Sequence, residues 1–339
     1  MNKRGIVLTP PDFSGVDWKS GLAELRLNTL GVHSGGGANH DVLRQLGATA
    51  SEEFRRDFRS AGIECEYEVH AAASLLPVSL FESRPEYFAL SFREESRSAT
   101  ANWCVTNPDV PAILAANAGR LAEKLRSTTH RYYFWGADRE DAYCHCRECS
   151  KYTASELNLL GVNAIADGIR RVDPLAEVAC LAYLGCYEVP ERVEPRENVF
   201  LEFAPYVRCY HHSLNDPACA VNRRFFNAFR ELGAFFGMRN THILEYWLDS
   251  SLFSGYRKPA RRPFVRPELL RRDLEAYAGA GIRNITSFAV YMDGEYFSAH
   301  GTAALEDYAA ALREFLPDDG SVPGAGAVRP DSENQVPCY

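Results

Sequence analysis

Residues 130–174 read HRYYFWGADREDAYCHCRECSKYTASELNLLGVNAIADGIRRVDP. The first residues are aromatic and apolar up to Gly136, as in a buried strand, and the run ends on Asp138. From Thr153 the pattern turns helical. Thr153 and Glu156 have capping-box spacing, and Leu157, Leu160, Ile165 and Ile169 recur along one face. Asp173-Pro174 then stops the helix, because the residue before a proline is pushed out of helical geometry. A strand, a loop and a helix make one β/α unit, and the fold depends on how often the chain repeats it.

Strand-like runs recur seven more times: GIVLTP (5–10), RLNTLGVHS (26–34), CEYEVHA (65–71), EVACLAYLG (177–185), VFLEFAP (199–205), THILEYWLD (241–249) and ITSFAVYMD (285–293). Helical periodicity lies between them at 38–60, 108–126, 220–236, 267–280 and 302–315, with a shorter stretch at 16–25. Strands alternating with helices pair in parallel, and eight of them predict an α/β fold, a closed (β/α)8 TIM-like barrel with long βα loops. One catalytic domain is expected over residues 1–316, with an insertion at 72–107. A doubly wound open sheet is the main rival. Neither GxGxxG nor the P-loop pattern follows an early strand, and the glycine-rich HSGGGANH (33–40) lacks both spacings. The tail 317–339, rich in Pro, Gly and Ser, is expected to be disordered and outside the fold.

With 339 residues, 46% of them hydrophobic, the chain has ample material for a core, and a net charge of -8 argues against a nucleic-acid partner. No run of eighteen apolar residues exists to span a membrane. The N-terminal apolar run is four residues long and ends at Pro10-Pro11, so no secretory signal is visible and a cytoplasmic location is expected. Ten scattered cysteines then read as free thiols rather than a disulfide scaffold.

In such a barrel the reactive groups stand at the C-terminal strand ends and in the loops that follow. Those ends carry Asp12, His33, His70, Asp138, Tyr183, Glu202, Glu245 and Asp293. Any one of them could be a helix cap or a salt-bridge partner; together they predict a polar cleft. Aromatic residues nearby, Trp103, Tyr246 and Trp247 among them, suit a carbohydrate, whose C–H faces stack on rings while its hydroxyls bond to acids.

Glycoside hydrolysis needs one carboxyl to protonate the leaving oxygen and usually a second group to stabilise or attack the sugar. Asp138 on the fourth strand and Glu245 on the seventh would face each other across the barrel, with Glu202 a third contender. Glu245 lies between Leu244 and Tyr246, a setting that would raise its pKa toward the acid role. His33, His70, Trp103, Tyr183, Tyr246, Trp247 and Asp293 are expected to bind substrate. GxSxG, HExxH and HxH are all absent. Two other readings stay open. One is a metal-dependent sugar isomerase or epimerase using His33, His70, Glu202 and Glu245; the other is a non-catalytic carbohydrate-binding barrel. The glycosidase reading requires no cofactor.

Cys144, Cys146 and Cys149 form C-x-C-x-x-C around His145. A structural zinc needs four ligands, so Cys104 or Cys209 would have to be the fourth. A disulfide within the cluster, or free thiols shaping the loop, are the other readings.

Several stretches resemble one family when taken in order: HAAASLLPVSLFESRPEYFAL with WCVTNPDV, ADREDAYCHCRECS with LLGVNAIADGIRRVDP, then CLAYLG, RCYHHSL and LEYW. Across residues 26–300 the chain is similar to the bacterial domain of unknown function 4838, which includes the endo-β-N-acetylglucosaminidases of glycoside hydrolase family 163. The resemblance implies a TIM-like barrel related to the hexosaminidase and α-glucuronidase barrels. By position it implies that Asp138 and Glu245 are the functional acids and that His70 and Asn107 line the cleft. The chain departs from many members in showing no N-terminal β domain or secretion signal, and in being more acidic around Asp138.

Overall fold

A computed structural model describes residues 2–36, 41–93 and 95–317. The expected disordered tail therefore lies outside the described residues from 318 onward, as do residues 37–40 of the glycine-rich loop.

Eight parallel strands close into one barrel, each paired with its sequence neighbours and the last with the first. They are β1 (Lys3–Leu8), β2 (Thr29–Val32), β3 (Glu64–His70), β4 (Arg131–Trp135), β5 (Glu177–Ala182), β6 (Val199–Phe203), β7 (His242–Glu245) and β8 (Asn284–Phe288). Seven helices follow the strands on the outside: α1 (Trp18–Glu24), α2 (Glu52–Ser60), α3 (Val110–Lys124), α4 (Ala154–Ile169), α5 (Ala220–Phe236), α6 (Pro267–Gly279) and α7 (Ala303–Phe315). Residues 183–198 join β5 to β6 without a helix. The capping box of α4 forms as its spacing predicts, Thr153 Oγ1 accepting from the Glu156 N–H and Glu156 Oε2 from the Thr153 N–H. The expected continuous helix over 38–60 is instead broken. A one-turn helix (Val42–Leu46) and a 3-10 turn (Gly47–Ala50) precede α2, with Gly47 in the left-handed region at φ 53°.

Side chains of a strand alternate between the two faces of the wall, and here both faces are buried. On β7, His242, Leu244 and the following Tyr246 point into the barrel; Leu244 and Tyr246 pack with Val7, Tyr133, Phe200 and Phe288. Ile243 and Trp247 belong to the outer core beneath the helices. The lower interior is polar where TIM barrels usually hold branched apolar residues. Lys3 pairs there with Glu66 and donates to the Tyr133 hydroxyl, beside Glu68, Glu202 and His242. Burial pushes the Glu68 carboxyl up to about 8, raises that of Glu202 well above its ordinary range and holds the His242 imidazole far below its own. These groups are buried largely in their neutral forms, which avoids the cost of unpaired charge.

Candidate active site

The C-terminal mouth of the barrel opens into a cavity of about 320 Å³. Ring side chains encircle it. Tyr183, Tyr206, Tyr246, Phe288, His33 and His70, from the ends of six strands, form a closed collar with neighbouring centroids 5.2 to 6.2 Å apart. Trp135, at the end of β4, packs 5.1 Å from His70 and lies in the floor. Tyr256 and Tyr291 stand over the opening, both held in the left-handed backbone region at φ 59° and 69°. For tyrosine that conformation is strained and persists only where its surroundings enforce it. Asp12 supplies part of the restraint, its Oδ1 accepting the Tyr291 N–H at 2.8 Å and its Oδ2 that of Thr9 at 2.7 Å.

Asp138 and Asp249 are the carboxylates that line this cavity. Asp138 is partly exposed; Tyr183 donates to its Oδ1 at 3.2 Å, and His70 Nε2 lies 3.9 Å from the same oxygen. The Gly136 carbonyl stands 2.9 Å from His70 Nδ1 and can only accept, so Nδ1 carries the proton and Nε2 faces the cleft as an acceptor. His33 has the opposite tautomer. Its Nδ1 accepts the Gly35 N–H at 2.9 Å, leaving a buried Nε2–H with no partner among the described residues. Burial lowers both imidazole pKa values, that of His33 to about 3, so the pair is neutral at ordinary pH. Asp249 is 5% exposed and caps a one-turn helix (Ser250–Phe253) through Oδ1, which accepts from the N–H groups of Ser251 and Leu252 and from the Ser251 hydroxyl. Burial, partly opposed by those bonds, pushes its carboxyl up to about 6.

Of the residues expected at the site, His33, His70, Asp138, Tyr183 and Tyr246 line the cavity. Six others do not. Glu245 is fully buried on the outer face of β7, where Arg208 and Tyr277 donate to its Oε1 at 2.7 and 2.8 Å. Trp247 shares that face, and its indole N–H donates to Asp273 at 3.1 Å. Glu202 points inward but one layer too deep, beneath the Trp135 indole, which donates to its Oε2 at 2.8 Å. Trp103 packs the insertion onto α4. A Cβ at Gly161 would lie 2.4 Å from its Nε1, so glycine is what lets the indole seat there. Asn107 folds onto the Asp109 N–H at the start of α3, and Asp293 caps the helix Gly294–His300 and pairs with Lys258. The expected metal set of the isomerase reading is thereby dispersed over cleft, deep interior and outer wall.

Asp249, Trp135, Tyr206, Tyr256, Phe288 and Tyr291 were not expected at the site. The sequence signal for Asp249 was the D-S-S of a helix cap just after a strand run, which reads equally as structure.

The architecture and the ring-lined mouth define the chain as a (β/α)8 barrel with a C-terminal cleft, a fold shared with solved glycoside hydrolases. The chain belongs to the family described as domain of unknown function DUF4838, which it matches over residues 42–298. A β-N-acetylhexosaminidase from Bacteroides fragilis superposes with a TM-score of 0.53 at 12% identity, covering 96% of this chain and 68% of that one. A broad-specificity endoglucanase from Bacteroides salanitronis gives 0.53 at 9% identity, covering 93% of both chains. A Bacteroidetes-affiliated cellulase gives 0.51 at 10%, covering 94% and 92%. No curated protein matches the chain. No helix among the described residues is long and apolar enough to cross a membrane.

Proposed function

We propose that the chain is a glycoside hydrolase acting on β-linked sugars, foremost N-acetylglucosamine-containing glycans. The observation that carries this is the Asp138–Tyr183 pair set in the ring collar. A carboxylate acceptor and a hydroxyl donor 3.2 Å apart match the N–H and C=O of an acetamido group, while the rings offer faces to a pyranose. The B. fragilis neighbour, a β-N-acetylhexosaminidase, supports the same substrate class.

In this reading Asp249, whose buried carboxyl holds its proton up to about pH 6, gives that proton to the glycosidic oxygen. The acetamido oxygen attacks the anomeric carbon as the leaving group departs, and Asp138 accepts the hydrogen bond of the acetamido N–H. Water then opens the resulting oxazoline, and its proton returns to Asp249. His33 Nε2–H and the cleft tyrosines bind ring hydroxyls. The test is a panel of chromogenic β-glycosides with and without the 2-acetamido group, assayed alongside Asp138→Asn. Turnover of acetamido substrates that Asp138→Asn abolishes supports the proposal. Oligosaccharide binding that is equal in both proteins, with no glycoside cleaved by either, would make the barrel a carbohydrate-binding module instead.

A further inference from the structure

Four cysteine sulfurs converge where the insertion meets the loop after β4. Cys104 comes from the end of the insertion; Cys144, Cys146 and Cys149 come from the loop between β4 and α4. Their Sγ atoms all lie within 4.8 Å of one another, and three of the four residues are buried. Cys104 Sγ stands 3.6 Å from that of Cys146 and 3.8 Å from that of Cys149. A disulfide would bring two sulfurs to about 2.05 Å. A metal ion with four sulfur ligands at about 2.3 Å sets the tetrahedron's edges at about 3.8 Å. The spacings of Cys104 from Cys146 and from Cys149 are those of a tetrahedron's edges and lie far beyond a disulfide's.

The surroundings also suit thiolates. The Leu90 N–H donates to Cys144 Sγ at 3.3 Å, and the Thr106 hydroxyl lies 3.1 Å from Cys149 Sγ. Arg97 brings a guanidinium to 4.0 Å from Cys144 Sγ, next to a centre that would carry two net negative charges. Donors aimed at ligand sulfurs are the usual outer shell of such sites.

We propose that Cys104, Cys144, Cys146 and Cys149 bind one zinc ion. With all four positions filled by protein, the ion is structural and has no open position for water or substrate. Each thiol gives up its proton to solvent on binding, so occupancy falls as the pH is lowered. The ion fastens the insertion to the loop that carries Asp138. Two residues before Cys104, Asn102 accepts the Ala137 N–H at 2.6 Å, and its own N–H donates to the Ala142 carbonyl at 3.0 Å. A Cβ at Gly136 would lie 2.5 Å from the Asn102 amide oxygen, so the two segments pass as closely as glycine allows. Zinc and Asn102 together hold the backbone on both sides of Asp138.

This inference does not depend on the proposed activity, because metal content is read without substrate. The full chain, produced in zinc-supplemented medium and purified without chelator or histidine tag, is expected to carry about one zinc per chain by mass spectrometry of the elements. Zinc-edge absorption should show four sulfurs at about 2.3 Å. Cys104→Ser and Cys149→Ser should each retain about a tenth of that zinc or less. Should those variants fail to fold, cobalt added to wild-type protein stripped with a mercurial and chelator should give thiolate-to-cobalt absorption. Wild-type protein that holds no zinc and takes up neither zinc nor cobalt overturns the proposal. So does a disulfide among these four residues found by mass under non-reducing conditions, or iron in place of zinc.

Discussion

Asp138 and Glu245 both stand at strand ends among aromatic residues, yet they occupy opposite environments. Asp138 reaches a partly open cleft with a tyrosine hydroxyl and an imidazole beside it. Glu245 sits behind the wall, shut in with Arg208, Tyr277 and Asp273. The difference comes from the two-residue period of a strand. One step along β7 separates the collar residue Tyr246 from a buried ion-pair cluster that substrate does not reach. An acid within a barrel strand is therefore a candidate for chemistry only if it shares the parity of the residues that face inward, whereas Asp138, three residues beyond the end of β4, is brought to the cleft by its loop.

The sharpest way to break this comparison is to attack the cluster behind the wall. Arg208 is the guanidinium between two carboxylates, Glu245 and Asp273, with no side-chain exposure. Arg208→Leu leaves two buried acids without their countercharge and should cost about 3–5 kcal/mol, read from urea unfolding. A loss under about 1 kcal/mol, the scale of a surface pair, would mean that the cluster does not hold β7 to α6 as the geometry implies.

Next in size is the exchange of roles between the two acids. Asp138→Asn should lower turnover of a chromogenic β-glycoside at least about a hundredfold while leaving the unfolding midpoint nearly unchanged. Glu245→Gln should do the reverse and act on stability. Burial, with Arg208 pulling against it, pushes the Glu245 carboxyl up to about 7 from an ordinary 4.5. Since the folded value is the higher one, the stabilisation from its protonated form is complete below about pH 4.5 and is lost as the pH rises through about 7. Glu245→Gln should flatten that slope. A normal slope together with a hundredfold loss of turnover would return Glu245 to the chemistry.

Asp249 predicts a smaller and graded effect. If it is the proton donor, kcat/KM should hold below about pH 6 and then fall about tenfold per unit as the carboxyl ionises. Asp249→Asn should remove that limb of the profile while keeping the helix cap, since an amide oxygen accepts the same Ser251 and Leu252 N–H groups. A profile unchanged by the substitution would reduce Asp249 to a helix cap.

The barrel was legible because it is written eight times over. Each strand run and most helices appear at the expected positions, and a single misread element would not have changed the closure. The cleft was only half legible. Parallel strands buried on both faces carry apolar residues at every position, so HILEYWLD shows no alternation from which to tell the Leu244–Tyr246 face from the Glu245–Trp247 face. Depth was hidden too. Glu202 has the inward parity but lies under Trp135, and only the stagger of neighbouring strands reveals that. Asp249 stands four residues beyond the end of β7, where loop geometry rather than strand pattern decides what it faces.

The smallest test uses two adjacent aromatic residues. Trp247 touches no part of the cavity, and its indole N–H makes one buried bond to Asp273. Trp247→Phe should cost about 1–3 kcal/mol by leaving that acceptor short of a donor, with KM and kcat of the folded protein unchanged. Tyr246 belongs to the collar, 5.2 Å from both Tyr206 and Phe288. Tyr246→Ala removes a ring from the cleft wall and should raise KM for a chromogenic β-glycoside severalfold or more. If instead Trp247→Phe changed KM and Tyr246→Ala did not, the parity of β7 would be inverted and Glu245 would face the cleft after all.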